Sequence, residues 1–354
     1  MENTTHPDPD VALATSGPTT TAADTFAARR RSPVQRVQHL LHSHPAISPL
    51  LVLVASWLVF SQLNSRFASA GSLSLVLQQA AVIAALAVGQ TLIILTAGID
   101  LSCGAIAILA MLVGAKMSAE HGVPGPLAVV IALAVGLLAG MANGLLVTRL
   151  KLPPFIVTLG TLSVFTALGL LYTKGQAVQA IDMPDFMTWT GTVIKLGDFV
   201  ITYGVVMAVV LYVVMAFVLG QTRWGRHVYA VGNDAEAARL AGISVSRVLV
   251  SVYAVAGLIY GLTAWIQIGR ADAASPNAIT DGNLETITAV VIGGTSLFGG
   301  RGALVGTALG ALIVYFFRSG LSLAGVDDQY RILAIGVLVI AAVAVDQWIR
   351  KVRA

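Results

Sequence analysis

Apolar segments separated by short polar junctions recur along the chain from residue 46 to residue 348. They cover 46–63, 75–97, 101–117, 126–147, 154–172, 199–220, 245–268, 283–299, 303–318 and 332–348. Most approach the ~20 apolar residues that an α-helix needs to cross a bilayer, and the third, eighth and ninth are shorter. Because junctions such as "FGGRGA" contain the glycines that tight turns need, neighbouring helices can meet there. The pattern predicts an all-α polytopic membrane protein with about ten transmembrane helices.

The two ends of the chain differ from this apolar region. Residues 1–45 are rich in Thr, Ala, Pro and Asp and lack an apolar period, so we expect a disordered cytoplasmic tail. Residues 46–348 form the predicted membrane domain, and residues 349–354 form a short cytoplasmic end. The whole chain is 56% hydrophobic and 11% charged, whereas soluble domains average about 25% charged residues. The apolar excess therefore faces membrane lipid.

Basic residues predict the orientation in the cell membrane. With the N-terminus in the cytoplasm and ten alternating spans, cytoplasmic segments carry 14 of the 21 Lys and Arg residues, and outer segments carry 7. This bias follows the positive-inside rule and places both termini in the cytoplasm. The net charge of +4 arises from short clusters between apolar runs, so it does not indicate a nucleic-acid partner.

The polar loop 221–244 contains the stretch "NDAEAARLAG", which has the signals of a small helix. Asn233 or Asp234 is the candidate N-cap, and Glu236 lies three residues after Asn233, as in a capping box. Gly242 is placed to end the helix in the left-handed conformation. The predicted topology places this polar helix on the cytoplasmic side.

Three acidic residues lie at or within the apolar segments. Asp346 is close to the cytoplasmic end of the last span, where an interfacial role is sufficient. Asp100 has two interpretations, because it can cap the third helix or lie on a substrate path. Glu285 also has two interpretations. An acidic side chain is favourable in the first turn of a helix, and an acidic side chain inside a membrane segment also fits a substrate path.

Neutral polar residues also occur on the spans, and as a set they suit an uncharged polar solute such as a sugar better than an ion. The candidate substrate-path residues are Gln90, Asp100, Asn143, Thr158, Thr161, Glu285 and Thr295. No histidine lies within a span, and Cys103 is the single cysteine, so no metal or catalytic site is predicted. The chain lacks a Gly-Lys pair and hence a phosphate-binding loop, so we expect no cofactor and ATP hydrolysis by another protein.

Four longer motifs resemble the permease subunits of bacterial ABC sugar importers of the ribose, xylose and fructose type. They are "ILTAGIDLSCGAI" (94–106), "LPPFIVTLGTLSV" (152–164), "GRHVYAVGNDAEAARLAGI" (225–243) and "AVVIGGTSLFGGRGALVGTALGALI" (289–313). The similarity covers about 46–348 and implies a type II ABC importer-like permease in the inner membrane. It also implies an ATPase subunit and an extracytoplasmic sugar-binding protein as partners, and a homodimer enclosing the sugar path.

The resemblance gives the polar loop a role, because permeases of this family present a short cytoplasmic helix with an E-A-A-x-x-x-G pattern to the ATPase. That pattern falls on Glu236, Ala237, Ala238 and Gly242, directly after Asn233 and Asp234. The stretch "RVQHLLHSHP" before the first span favours the fructose-type members. We therefore expect import of a pentose or hexose, with a lean toward fructose.

Two departures from the family pattern and two rival functions accompany this interpretation. Cys103 replaces a valine in "GIDLSVG", and Glu285 replaces an aspartate, which leaves the identity of the sugar open.

The rivals are an ion-coupled secondary carrier, which the scarcity of buried charge disfavours, and a membrane-embedded transferase. A transferase would need a constellation of catalytic acids or histidines at one interface, and none is evident in the sequence.

Overall fold

The computed structural model describes residues 47–351, which are mostly helical. The helices are α1 Ile47–Leu63, α2 Ala70–Leu95, α3 Cys103–His121, α4 Gly125–Arg149, α5 Pro154–Thr173, α6 Tyr203–Gln221, α7 Arg223–Asn233, α8 Ala235–Leu240, α9 Val245–Ala271, α10 Gly282–Ile292, α11 Leu304–Leu323 and α12 Asp328–Lys351. Single helical turns occur at Ser65–Ala68, Ala180–Asp182, Asp185–Thr188 and Trp189–Gly191. The predicted tail 1–45 and residues 352–354 of the predicted C-terminal end lie outside the described residues.

Seven helices among residues 47–351 are long and apolar enough to cross a membrane, namely α2, α3, α4, α5, α6, α9 and α11. The other three predicted spans correspond to shorter apolar helices, which are α1, α10 and the Gln329–Leu338 part of α12. The protein is thus a multi-pass helical membrane protein. Ten crossings remain a prediction.

Several predicted span boundaries differ from those of the helices, and local backbone conformation explains two of the differences. The eighth segment was expected to reach residue 299, but α10 ends at Ile292. Gly293 follows it, and Gly294 has a left-handed φ of +84°, which an α-helix does not continue through. The sixth segment was expected from residue 199, but residues 199–202 form a strand of a hairpin. The third helix begins at Cys103 instead of residue 101.

Four short strands modify the all-α prediction. Strand β1 (Val178–Gln179) lies in the loop between α5 and α6. It pairs with β4 (Ala273–Ala274), which directly follows α9. In the same loop, β2 (Val193–Leu196) and β3 (Phe199–Thr202) form an antiparallel hairpin. This loop lies at the end of the bundle away from α8, because α9 begins at the α8 end and finishes beside β4.

Glycines bring α4 and α9 into close contact at the centre of the bundle. A side chain on Gly136 would overlap the carbonyl oxygen of Gly257, and one on Gly140 would overlap that of Tyr253. Small residues four apart permit such close approach of membrane helices. The fully buried Tyr253 and Tyr260 extend this contact toward α2 and α3, which form the core with α9.

Candidate functional site

The polar loop after α6 folds into two helices, α7 and α8, joined at Asp234. Asp234 caps α8, because its side-chain oxygen accepts hydrogen bonds from the backbone N–H groups of Glu236 and Ala237, each at 2.9 Å. Asn233, the other candidate cap, is the last residue of α7. The structure therefore resolves the two alternatives in favour of Asp234.

The predicted capping box with Glu236 is wrong. Asn233 ends α7 and Asp234 is the N-cap of α8, so the residue three positions after the cap is Ala237 and Glu236 does not occupy the capping-box position. Glu236 forms a surface ion pair with Arg239 (2.5 Å), and the hydrogen bonds that the guanidinium donates to this carboxylate raise the pKa of Arg239. The glutamate thus supports the helix through an i,i+3 pair on its exposed face.

Gly242 ends α8 as predicted, with a left-handed φ of +83°. The N–H of Gly242 donates to Arg239 O, and the N–H of Ile243 donates to Ala238 O, both at 3.0 Å. These bonds satisfy carbonyl groups at the helix end, as in a glycine C-cap motif. No atom lies within 4 Å of a Cβ built at Gly242, so the requirement for glycine is conformational and not steric.

One face of α8 is buried and the other is open. Ala238 is buried against the bundle, whereas Glu236, Ala237 and Arg239 are exposed. The side chain of Leu240 is 79% exposed, although the bundle lies beside α8. The open face of α8 therefore carries a charged pair beside an exposed leucine.

The end of α7 packs against the end of α2 and against the loop between α10 and α11. A side chain on Gly232 would overlap the carbonyl oxygen of Leu95 at the end of α2. The same carbonyl accepts the N–H of Gly300, in the loop between α10 and α11, at 2.9 Å. Tyr229 donates to Gly302 O at 3.0 Å, and burial raises the pKa of Tyr229, so the hydroxyl keeps its proton at neutral pH. The base of α8 is therefore fixed to both α2 and the α10–α11 loop.

A buried polar network surrounds the turn between α2 and α3. Asp100 Oδ1 accepts the N–H (2.7 Å) and the hydroxyl (2.6 Å) of Ser102, and Asn143 donates to that hydroxyl at 2.8 Å. The Gln90 side-chain amide pairs with both backbone groups of Asp100, at 3.1 and 3.3 Å, when its nitrogen faces the carbonyl. Thr158 donates to Ile99 O at 3.0 Å. Asp100 therefore shapes the turn that precedes α3 instead of capping its first N–H groups.

The structure brings four of the seven predicted path residues into this network, namely Gln90, Asp100, Asn143 and Thr158. All four are buried. Thr161 lies one turn further along α5, and Thr295 lies in the loop after α10. Sequence reasoning missed Ser102, the centre of the network, although the spacing Asp-x-Ser is the signal of a local turn of this kind.

A polar cavity of about 580 Å³ opens at the end of the bundle away from α8. It lies between α2, α9, α10, α11 and the start of α12. Its polar lining residues include Gln79, Gln267, Arg270, Asp281, Glu285, Tyr315, Arg318, Ser319, Ser322 and Arg331. Of the predicted path residues, Glu285 lines this cavity, and the other six do not.

Glu285 is held in the cavity by two residues of α11. Arg318 forms an ion pair with one carboxylate oxygen, and the Tyr315 hydroxyl donates to the other at 3.2 Å. Neither partner was predicted, because they lie 33 and 30 residues further along the chain and only the packing of α10 on α11 brings them near. Gly293 and Gly310 permit that packing, since a side chain on either would overlap the facing helix.

A bundle of membrane-crossing helices with a polar cavity at one end and an exposed, capped loop helix at the other is the architecture of a membrane permease. The sequence model of a family described as "Branched-chain amino acid transport system / permease component" matches residues 72–343, and the chain belongs to this family.

Several curated proteins are similar over almost the whole chain. The "Fructose import permease protein FrcC" of Rhizobium meliloti is 48% identical over 333 residues, which cover 93% of this chain and 92% of the relative. The "Ribose import permease protein RbsC" of Escherichia coli K12 is 37% identical over 86% of this chain and 94% of its own. The Bacillus subtilis protein of the same name is 38% identical over 85% and 92%.

Proposed function

We propose that this chain is the membrane-spanning permease subunit of an ATP-driven ABC importer that carries a monosaccharide into the cytoplasm. The support is the agreement between the sequence motifs and the relatives, whose names specify import of fructose and ribose. The fructose-named relative shares 48% identity, against 37% for the ribose-named one from Escherichia coli, so fructose is the favoured sugar.

The observation that carries the proposal is the geometry of α8. Its cap, its left-handed terminator and its fixed base make it a preformed element, and its outer face is open. We assign docking on the ATPase to the segment Asn233–Gly242. Within it Glu236 and Ala237 form the contact face, while Asn233, Ala238 and Gly242 position that face.

The partners and orientation follow from the same assignment. An ATPase subunit at the α8 end places α8 and both termini in the cytoplasm, in agreement with the bias of basic residues. An extracytoplasmic sugar-binding protein then delivers the sugar to the opposite end, where the cavity opens. We further propose a homodimer embedded in lipid. The permease itself carries out no covalent chemistry.

The predicted path residues take different roles in this proposal. Glu285 contacts the sugar, because it lines the cavity. Gln90, Asp100, Asn143 and Thr158 act on the path indirectly, by holding the turn between α2 and α3. Thr161 and Thr295 stay assigned to the path on their sequence positions alone.

Substitution of Gly242 tests the docking assignment. Gly242→Val imposes a β-branched side chain on a left-handed residue, so we expect a distorted α8 and sugar uptake reduced at least about tenfold. Gly242→Asn is the matched control, because asparagine tolerates this conformation and should retain most of the uptake. Glu236→Lys reverses the charge of the contact face and should also reduce uptake.

Pull-down of the ATPase subunit, at equal amounts of permease in the membrane, is the measurement that separates docking from folding. We expect Gly242→Val and Glu236→Lys to release the ATPase and Gly242→Asn to retain it. Normal uptake and retention in all three variants would contradict the assignment. Uptake by the wild-type chain without any ATPase would identify a secondary carrier instead.

A further inference from the structure

Four aromatic side chains from three separate segments meet at the end of the bundle away from α8. Phe186 and Trp189 lie in the loop between α5 and α6, Tyr203 begins α6, and Trp265 lies in the last two turns of α9. Trp189 stacks on Tyr203 with ring centroids 4.6 Å apart, and it lies 5.8 Å from the ring of Trp265. Phe186 stacks on Trp265 at 5.1 Å. These four residues form the aromatic cluster.

The loop that carries Phe186 is fixed to the end of α9. The hydroxyl of Thr190 donates to the carbonyl oxygen of Trp265 at 2.9 Å, and the indole N–H of Trp265 donates to the carbonyl oxygen of Phe186 at 3.1 Å. A side chain on Gly191 would overlap the carbonyl oxygen of Gly269, so the two backbones lie in close contact. These contacts hold the aromatic cluster in place.

The aromatic cluster is fixed but not fully buried. Phe186 is 38% exposed and Trp189 is 40% exposed. Exposed apolar surface of this kind can mark contact with another molecule or with a membrane. Tryptophan and tyrosine combine a large apolar ring with one polar group, which suits the layer between the lipid chains and water. The composition of the cluster therefore fits the membrane surface.

The length of α6 places the aromatic cluster at the level of the membrane surface. The 19 residues of α6 extend about 28 Å, close to the ~30 Å thickness of the hydrocarbon core. Tyr203, the first residue of α6, therefore lies at one boundary of the core. Phe186 also lies beside the start of α4, because a side chain on Gly125 would overlap its Cβ. Two helices thus begin at the level of the cluster.

The exposed face of α6 favours lipid over a second copy of the chain as the neighbour of the cluster. Tyr203 begins a face whose next members follow at intervals of three or four residues, namely Val206, Val210, Val213 and Phe217. All four of these later side chains are exposed. None of them is small, whereas contacts between membrane helices are enriched in Gly, Ala, Ser and Thr. The cluster thus continues a face that suits lipid.

We propose that the aromatic cluster lies in the headgroup layer of the membrane surface opposite α8 and anchors the loop between α5 and α6 in that layer. Its partner is the lipid, and the rings of Phe186 and Trp189 contact the acyl chains next to the headgroups. This contact fixes the depth of α6 and of the end of α9 in the membrane. The inference depends neither on the transported solute nor on the direction of transport.

Fluorescence quenching by spin-labelled lipids measures the depth of Trp189. The full-length chain is reconstituted in phosphatidylcholine vesicles that contain lipid labelled either close to the headgroup or near the end of an acyl chain. The reporter variant keeps Trp189 and carries Trp57→Phe, Trp224→Phe, Trp265→Phe and Trp348→Phe. We expect the shallow label to quench Trp189 at least about twofold more than the deep label does.

A tryptophan in the middle of the same face of α6 is the matched control. Val213→Trp, combined with Trp189→Phe in the reporter variant, places the fluorophore about 15 Å deeper along α6 than Tyr203. Val213 is 65% exposed, so the position admits the larger ring. We expect the deep label to quench this control at least about twofold more than the shallow label does.

A single substitution repeats the test in a chain that keeps its other tryptophans. Compared with the wild type, Trp189→Phe should lower the quenching by the shallow label and leave the quenching by the deep label unchanged. Equal thermal unfolding of the wild type and the variants checks that the fold is retained.

Three results would overturn the proposal. The first is stronger quenching of Trp189 by the deep label than by the shallow label. The second is quenching by aqueous iodide without quenching by either lipid, which would place the cluster in water. The third is protection of Trp189 from all three quenchers, which would mean that protein, such as a second copy of the chain, covers the cluster.

Discussion

Asp100 is a buried carboxylate at the turn between α2 and α3. Its Oδ1 holds the N–H and hydroxyl of Ser102, and Asn143 supports that hydroxyl from α4. Ala97, at the start of this turn, has a left-handed φ of +60°, which a residue with a Cβ rarely adopts. The residue therefore acts on local conformation.

Substitution of Asp100 distinguishes this structural role from contact with the sugar. Asp100→Ala leaves the Ser102 donors unpaired in a buried site, so we expect a loss of about 1–3 kcal/mol in the free energy of unfolding. Asp100→Asn keeps the acceptor oxygen and should lose less and transport nearly as the wild type. Thermal unfolding in detergent and sugar uptake are the measurements. Loss of uptake in a stable Asp100→Asn variant would show that Asp100 has a role on the sugar path beyond holding the turn.

At the scale of elements, the contact between α4 and α9 depends on backbone proximity and not on side chains. Gly136 and Gly140 face Gly257 and Tyr253 so closely that the helices meet through main-chain atoms. This contact holds α9 in place, and α9 connects α8 at one end of the bundle to Arg270 of the cavity at the other. A change in helix separation should therefore affect the whole bundle.

Gly136→Ala tests this packing. Its methyl group would overlap the backbone of α9, which cannot move aside as a flexible side chain can, so we expect a destabilisation of about 1–3 kcal/mol and a lower amount of protein in the membrane. Gly160→Ala on α5 is the matched control, because no atom lies within 4 Å of the added methyl. Thermal unfolding of both variants is the measurement. Equal stability would mean that the glycines of α4 do not determine the helix separation.

At the scale of the whole molecule, the helices that connect the two ends differ in exposure. Helices α2, α3 and α9 are the most buried of the spans, whereas α5 and α6 expose large apolar side chains such as Phe155 and Phe217. These outer helices are available to lipid or to a second copy of the chain. The cavity and α8 lie at opposite ends of the bundle.

Single cysteines in a Cys103→Ser background test the orientation. His121, at the end of α3, and Gln221, at the end of α6, have exposed side chains, so both positions tolerate substitution and admit a thiol reagent. We expect His121→Cys to react with an impermeant reagent in intact cells and Gln221→Cys to react only after permeabilisation. The reverse pattern would place α8 outside the cell and remove it from any ATPase.

The sequence by itself determined the class of the protein and the existence of the helices, because burial in lipid selects apolar residues along every span and leaves polar residues in the loops. It also determined the end of α8, because that end depends on the left-handed conformation of one residue, Gly242. Local signals of this kind do not depend on the rest of the fold.

Only the tertiary structure decided what the buried polar residues contact. It joined Asp100 to Ser102 and Asn143, and Glu285 to Arg318, because the packing of separate helices sets those distances and sequence spacing does not. It also ended α10 at Ile292, where packing of Gly293 against α11 and a left-handed Gly294 outweigh the apolar pattern that continues beyond them. Apolar composition reports burial, whereas the contacts of a polar side chain depend on which helix faces it.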